Sequence, residues 1–195
     1  MRVLNSFPLP TAQLKPSPVR HIVRLPLLLS LLVGGAIAVR VEQAPEYQVK
    51  AEFLERFTRF IDWPSDPPRR FVIGVIGRNP FNGFIERIAS ERRIKGRPVE
   101  VRYVSDLAQL ESCQLVFIAS SERAHLPLIL ARTAAKPILT IADSDGFASA
   151  GVMINFYNAG DTVRFEVNEN AVERSGLRVS SKLLKLARLV GGDER

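Results

Sequence analysis

Apolar and polar positions recur along this chain with two different periods, and the changes of period mark its elements. From Tyr47, Val49, Phe53, Leu54, Phe57, Phe60 and Ile61 return every three or four residues, with Lys50, Glu52, Glu55, Arg56 and Arg59 on the other side. That spacing predicts an amphipathic helix. Trp63-Pro64 ends it, because a residue ahead of proline is pushed out of the helical region. Phe71–Ile76 is an unbroken apolar run with one glycine and reads as a buried strand. A second helix is expected over about Phe81–Glu91, with Phe84, Ile85 and Ile88 inward. Val99–Val104 alternates, which predicts a strand with one wet face, a candidate sheet edge. Asp106–Leu110 reads as a short turn or helix. A third strand follows at Gln114–Ala119. Ser120-Ser121-Glu122 then caps a helix near Leu126–Thr133, which Lys136-Pro137 breaks.

The stretch Ile138–Phe156 holds two apolar runs separated by Asp143-Ser144-Asp145-Gly146 and a small-residue loop. It reads as two buried strands around an acidic, glycine-punctuated loop, either a ligand mouth or a structural corner. Asn158-Ala159-Gly160-Asp161 is a hairpin turn. In Thr162–Val167, Val163, Phe165 and Val167 face one way and Arg164 and Glu166 the other. Asn168 is placed to cap a short helix that Gly176 stops, and Ser180 to cap a last helix, Ser181–Val190. On that helix Lys182, Lys185 and Arg188 would form one exposed strip. Strands alternating with helices predict an α/β fold. We expect a single three-layer domain with a largely parallel sheet of about six strands, a C-terminal antiparallel hairpin and helices on both faces.

The length of 195 residues suits one such domain. The net charge of +7 changes little, because Arg2, Lys15, Arg20 and Arg24 supply four of those charges from a segment with no acid, residues 1–38. A nucleic-acid reading loses its force once they are set aside. The same segment ends in the apolar run Leu25–Ala38, closing on Ala36-Ile37-Ala38. It is shorter than the roughly 20 residues of a bilayer span. It reads as an export signal cleaved after Ala38 rather than a retained anchor. Residues 39–46 are then a linker, 47–191 the domain and 192–195 a tail. Cys113 is the single cysteine, so no intrachain disulfide forms, and it reads as a small buried hydrophobe at the head of a strand.

Candidate chemistry is sparse. His125 is the only histidine beyond residue 38, and no Gly-x-Ser-x-Gly elbow accompanies Ser120, Ser121, Asp143 or Asp145. One histidine and one cysteine make no zinc site, and Asp143, Asp145 and Glu122 follow no calcium-loop spacing. Gly74-Val75-Ile76-Gly77 lacks the third glycine of a dinucleotide fingerprint. We therefore expect no catalysis, no cofactor and no metal. In a doubly wound sheet the loops after three of the strands share the carboxyl edge, the usual ligand crevice. Arg78, Asn79, Ser120, Ser121 and Asp145 are the candidate small-molecule ligands there. Arg164, Glu166 and Asn168 are the candidate partner-binding residues, on the supposition that their strand is a sheet edge. Gly191-Gly192-Asp193-Glu194-Arg195 echoes the GGDEF signature of diguanylate cyclases, but a five-residue tail leaves no room for that domain.

Taken in order, a set of segments resembles one known family. They are Glu46–Leu54 (EYQVKAEFL) followed by Phe60–Pro64 (FIDWP), and Phe71–Gly77 (FVIGVIG) with Asn79-Pro80-Phe81. Cys113–Ile118 (CQLVFI), Gly146-Phe147-Ala148, Gly151–Phe156 (GVMINF), Val163–Asn168 (VRFEVN) and Ser180–Arg188 (SSKLLKLAR) follow. Together they resemble the YfiR-like family across nearly all of the chain beyond residue 46. The resemblance implies an exported, periplasmic α/β protein without catalysis, associated with homodimers. It would bind the periplasmic sensor region of an inner-membrane diguanylate cyclase and lower cyclic di-guanylate signalling, biofilm formation and exopolysaccharide output. The alternative is a periplasmic small-molecule binding or sensing module with no cyclase partner. Two departures stand out. Cys113 alone cannot form the disulfides of cysteine-rich relatives. Val152 also stands where many relatives have a second glycine, which leaves Gly151 to make the corner.

Overall fold

The computed structural model describes residues 43–66 and 68–191. The expected export signal, residues 39–42 of the expected linker and the tail 192–195 lie outside the described residues. Helix α1 spans Gln43–Thr58, so the last residues assigned to the linker are already helical. The short strand β1 (Ile61–Asp62) follows, then β2 (Phe71–Ile76), α2 (Phe84–Glu91), β3 (Arg93–Ile94) and β4 (Arg97–Val104). After a 3-10 segment at Leu107–Ser112 come β5 (Leu115–Ile118), a second 3-10 segment at Ser120–His125, and α3 (Leu126–Thr133). The remainder is β6 (Leu139–Ala142), α4 (Phe147–Ala150), β7 (Ile154–Ala159), β8 (Thr162–Asn168), α5 (Glu169–Arg174), β9 (Arg178–Val179), α6 (Ser181–Leu184) and β10 (Arg188–Val190). Among the described residues, no helix is long and apolar enough to cross a membrane.

Eight strands form one sheet in the order β10-β8-β7-β6-β5-β2-β4-β3, and β1 pairs with β9 in a separate antiparallel ribbon. The ladders β4-β2-β5-β6-β7 and β10-β8 are parallel. The hairpin β7-β8 and the β3-β4 pair are antiparallel. The expected class is therefore correct, and the sheet is wider than expected. The alternation inside β2 shows how the layers arise. Phe71, Ile73 and Val75 point to a core that packs under α1, α2 and α5. Val72 and Ile76 point to a second core with Leu126 and Ile129 of α3, Leu110, Cys113, Phe147 and Val152. Gly74 belongs to the second face, where a Cβ would stand 2.8 Å from Cys113 Sγ. The two residues fit each other: the thiol fills the space that the glycine leaves. Burial also pushes the Cys113 thiol above its ordinary pKa, as expected for a packing residue and not for a reactive one.

Three expectations fail for tertiary reasons. Lys50 and Glu55, read as the wet side of the first helix, are 4% and 3% exposed, while Val49 is 42% exposed. Ion pairs from other elements draw them in: Asp143 binds Lys50, and Arg92 binds Glu55. The small-residue loop after Gly146 contains a turn of helix, α4, whose Phe147 and Ala148 are buried. Gly151 makes the corner at φ 120°, and Val152 is buried with no positive φ. The last helix is the largest error. It stops at Leu184, and Arg188–Val190 turn back as a strand parallel to β8. Lys182, Lys185 and Arg188 therefore form no continuous helical strip.

Candidate functional site

The switch point of the sheet lies between β2 and β5. Their onward connections leave by opposite faces, which opens a crevice in folds of this kind. Here the chain itself closes it. The Arg78 N–H donates to Ser121 Oγ at 2.9 Å, and the Ala119 N–H to the Ile76 carbonyl at 3.0 Å. Gly77 has φ 91° and no room for a side chain, since a Cβ would meet Ser121 Oγ at 2.5 Å. Asn79 accepts from the Phe81 N–H and donates to the Tyr103 hydroxyl at 3.0 Å. Arg78 and Ser121 therefore hold the β2 and β5 loops together, and Asn79 ties the β2 loop to β4.

The open cavity lies further along the same edge, over β6 and β7. It is a cleft of about 560 Å³ lined by Ser120, Asp143, Asp145, Tyr157 and Asn158, with Glu46, Tyr47 and Lys50 from α1 and Arg188 from β10. Of the five candidate ligands, Ser120 and Asp145 reach it. Its base is a buried charge cluster. Lys50 Nζ donates to Asp143 Oδ2 at 2.9 Å and pairs with Glu46 at 2.5 Å. The Tyr47 hydroxyl donates to the same Asp143 oxygen at 2.8 Å. Lys50 and Asp143 side chains are only 5% and 3% exposed, so these bonds replace lost hydration. Burial, and then the Asp143 charge, push the Tyr47 phenol far above its ordinary pKa. Burial alone would raise the Glu46 carboxyl; hydrogen bonds from Lys50 and Asn158 outweigh it and hold the group below its usual range.

A hydrogen-bonded chain runs from this loop to the C-terminal strand. The Ser144 N–H donates to Asn155 Oδ1 at 3.2 Å, and Asn155 Nδ2 donates to Glu166 Oε1 at 3.1 Å. Glu166 Oε2 accepts from Arg188 Nε at 3.1 Å. Arg188 also lies 4.2 Å over the Tyr157 ring, at the cleft wall.

This wiring corrects the picture of the partner residues. The edge expected along β8 is covered by β10. Glu166 and Asn168 are each 5% exposed and have internal partners. Asn168 caps α5 by accepting from the Ala171 N–H, as expected, and donates to the Ala148 carbonyl. Arg164 alone of the three stands in solvent.

His125 is exposed and paired with Glu122 at 2.9 Å, while Asp143 is taken by Lys50 and Tyr47. No nucleophile–base–acid chain joins them among these contacts, and the cleft offers binding groups of both signs. Sequence reasoning missed Tyr47, Lys50, Tyr157, Asn158 and Arg188. The one local signal was the Glu46–Lys50 spacing of an i,i+4 pair.

Two solved structures are similar to this chain at low identity. A conserved domain protein from Vibrio cholerae O1 biovar eltor has 8% identity and a TM-score of 0.52, covering 73% of this chain and 59% of that one. An ABC domain from Streptococcus pneumonia, in complex with L-Trp, has 11% identity and a TM-score of 0.49, covering 74% and 60%. The chain thus spans about six tenths of the length of these structures, and the first likeness speaks to fold alone. The sequence itself is more specific. Residues 47–188, from the cleft tyrosine to the arginine of β10, match the family DUF4154, YfiR/HmsC-like, and the chain belongs to this family.

Proposed function

We propose that this protein captures the periplasmic sensor region of an inner-membrane diguanylate cyclase and holds the enzyme inactive, lowering cyclic di-guanylate. The family match over residues 47–188 supports this reading. It takes residues 1–38 as an export signal, the working form as a homodimer and the mode of action as binding without catalysis. The contact surface we assign is the outer side of β8 and β10. Arg164 is exposed there, with Leu186 74% and Leu189 48% exposed near the open edge of β10. Exposed leucines beside an unpaired strand edge suit a protein partner.

Deletion of the gene is expected to raise cellular cyclic di-guanylate, and the wild-type chain to restore it. A Leu186→Asp/Leu189→Asp/Arg164→Glu variant should fold and fail to restore it, and should not co-purify with the sensor region. Unchanged cyclic di-guanylate on deletion would sink the function. Normal co-purification of the triple variant would sink the surface alone.

The cleft supports a second reading, a small-molecule sensing module without a cyclase partner. Its position at the carboxyl edge and its volume of about 560 Å³ fall in the range of ligand sites. Ligand-dependent thermal stabilisation, lost in Asp145→Ala, combined with no cyclic di-guanylate phenotype, would favour it over the first.

A further inference from the structure

The amino edge of the sheet, opposite the cleft, carries a charge pattern that the cyclase reading does not use. Arg69 and Arg70 immediately precede β2, whose Phe71 is opposite Val99 of β4. Arg97 begins β4 and stands opposite Ile94, while Arg93 stands opposite Pro98. Lys95 and Gly96 make the tight β3-β4 turn at φ 49° and 74°, so the hairpin tip carries a cation. Arg178 of β9 is opposite Asp62 of β1, and Asp62 lies 3.9 Å from Lys95, which brings the small ribbon to the same rim.

Among the described residues, Arg69, Arg70, Arg93, Arg97 and Arg178 make no ion pair, and Lys95 makes only the long one to Asp62. Elsewhere Lys50, Arg59, Arg92, Arg102, Lys136 and Arg188 are each paired at 3.0 Å or less, while others such as Arg56, Arg87 and Lys185 are also unpaired among the described residues, so what marks the rim is that its cations share one edge. The nearby acids, Asp62, Asp66 and Glu91, are fewer than the cations. Trp63 sits at the same rim, half-buried. Its ring centroid is 5.8 Å from Lys95 Nζ, and its Nε1 is buried with no hydrogen-bond partner among the described residues. It lines a hollow of about 290 Å³ with Asp62, Ser65, Asp66, Lys95 and Arg97.

We propose that this rim docks the protein on an anionic bilayer surface, with a lipid phosphate seated between Lys95 and Arg97. Three observations favour a bilayer over another polyanion. The cations come from separate segments along one sheet edge, which suits a planar partner. Trp63, half-buried beside Lys95, gives the rim an aromatic side chain of the kind that membrane interfaces select. The periplasm, the compartment of the function proposed above, is bounded by bilayers and holds no nucleic acid. Docking would hold the protein beside membrane-anchored partners, but the inference stands on the rim and not on which partner is restrained.

The test is vesicle co-sedimentation of the full chain with phosphatidylglycerol/phosphatidylethanolamine vesicles, with pure phosphatidylcholine as reference. The rim variant is Arg70→Glu/Lys95→Glu/Arg97→Glu. The comparison variant, Lys182→Glu/Lys185→Glu, changes exposed cations elsewhere. All forms share the same N-terminal segment, so differences between them read the rim alone. Wild type should bind the anionic vesicles and lose binding as salt rises from about 50 to about 300 mM, as screening shortens the field. The rim variant should bind at least about tenfold more weakly, and the comparison variant within about twofold of wild type. Equal binding of rim variant and wild type overturns the proposal, as does equal binding to neutral vesicles. Two other results also overturn it: thermal protection by millimolar inorganic phosphate matching that by anionic vesicles, which marks a free-phosphate site, and capture of duplex DNA in place of vesicles. Thermal melts of both variants within a few degrees of wild type confirm that folding is not what is being read.

Discussion

At the carboxyl edge of the sheet Lys50, Glu46, Asp143, Arg188 and Glu166 are bonded to one another in and around the cleft. At the amino edge Arg69, Arg70, Arg93 and Arg97 stand without ion-pair partners among the described residues. The difference follows from burial. A charge with a side chain 3–5% exposed has lost its hydration and must be bonded within the protein. A solvated arginine has no such need and contributes little to stability. The cleft charges fasten α1, the acidic loop and β10 to one another; the rim charges fasten nothing.

The contrast breaks if removing a cleft charge proves harmless. Lys50→Met leaves Asp143 buried beside Glu46 with only the Tyr47 hydroxyl to serve it. We expect a loss of about 3–5 kcal/mol, the usual cost of orphaning one side of a buried pair, read by chemical denaturation. The double change Lys50→Met/Asp143→Leu should recover much of it. Arg188→Ala comes next. It leaves Glu166 with Asn155 as its remaining side-chain partner and loosens β10. Because Arg188 is itself 57% exposed, the expected loss is smaller, about 1–2 kcal/mol. Amide exchange should rise in β10 and along the adjoining edge of β8, and a result with no change there would dissociate the ion pair from the strand.

Titration sharpens the contrast without altering a buried charge. The folded Tyr47 phenol holds its proton more tightly than in the unfolded chain. Its contribution to stability is therefore complete below the ordinary phenol pKa of about 10 and is lost as pH rises above it. Tyrosinate absorbance should show a late-ionising phase from Tyr47, and Tyr47→Phe should remove that phase together with part of the alkaline loss of stability. The smallest effect belongs to the rim. Its triple charge reversal should shift stability by no more than about 0.5 kcal/mol per residue, while abolishing any anionic-surface binding. A large destabilisation there would show that the arginines are structural after all.

The legibility of each region follows the range of the interactions that made it. β2 and α3 fall where the apolar periodicity put them, Phe71–Ile76 and Leu126–Thr133, because their burial patterns repeat within a single element. The cap at Asn168 was readable for the same reason. The cleft was not, since the Lys50–Asp143 and Tyr47–Asp143 bonds cross 93 and 96 residues. Lys50 and Glu55 carry polar side chains that any periodicity count assigns to solvent, and only the distant Asp143 and Arg92 reveal that they are inside. Arg188 was misread with its helix. Leu183–Val190 satisfies a helical pattern, but β8 offered an open edge and Glu166 a buried carboxylate, and a strand carrying Arg188 answers both.

From the chain alone came the α/β class, the hairpin, most element positions and the family, each written in local patterns of apolar residues, glycines and caps. The tertiary structure decided which charges are inside, how the switch-point crevice is closed by Arg78 and Ser121, where the open cleft lies, and that the last segment is a strand. Those choices depend on groups brought together from far along the sequence, where burial makes one partner necessary to another and no short-range pattern records it.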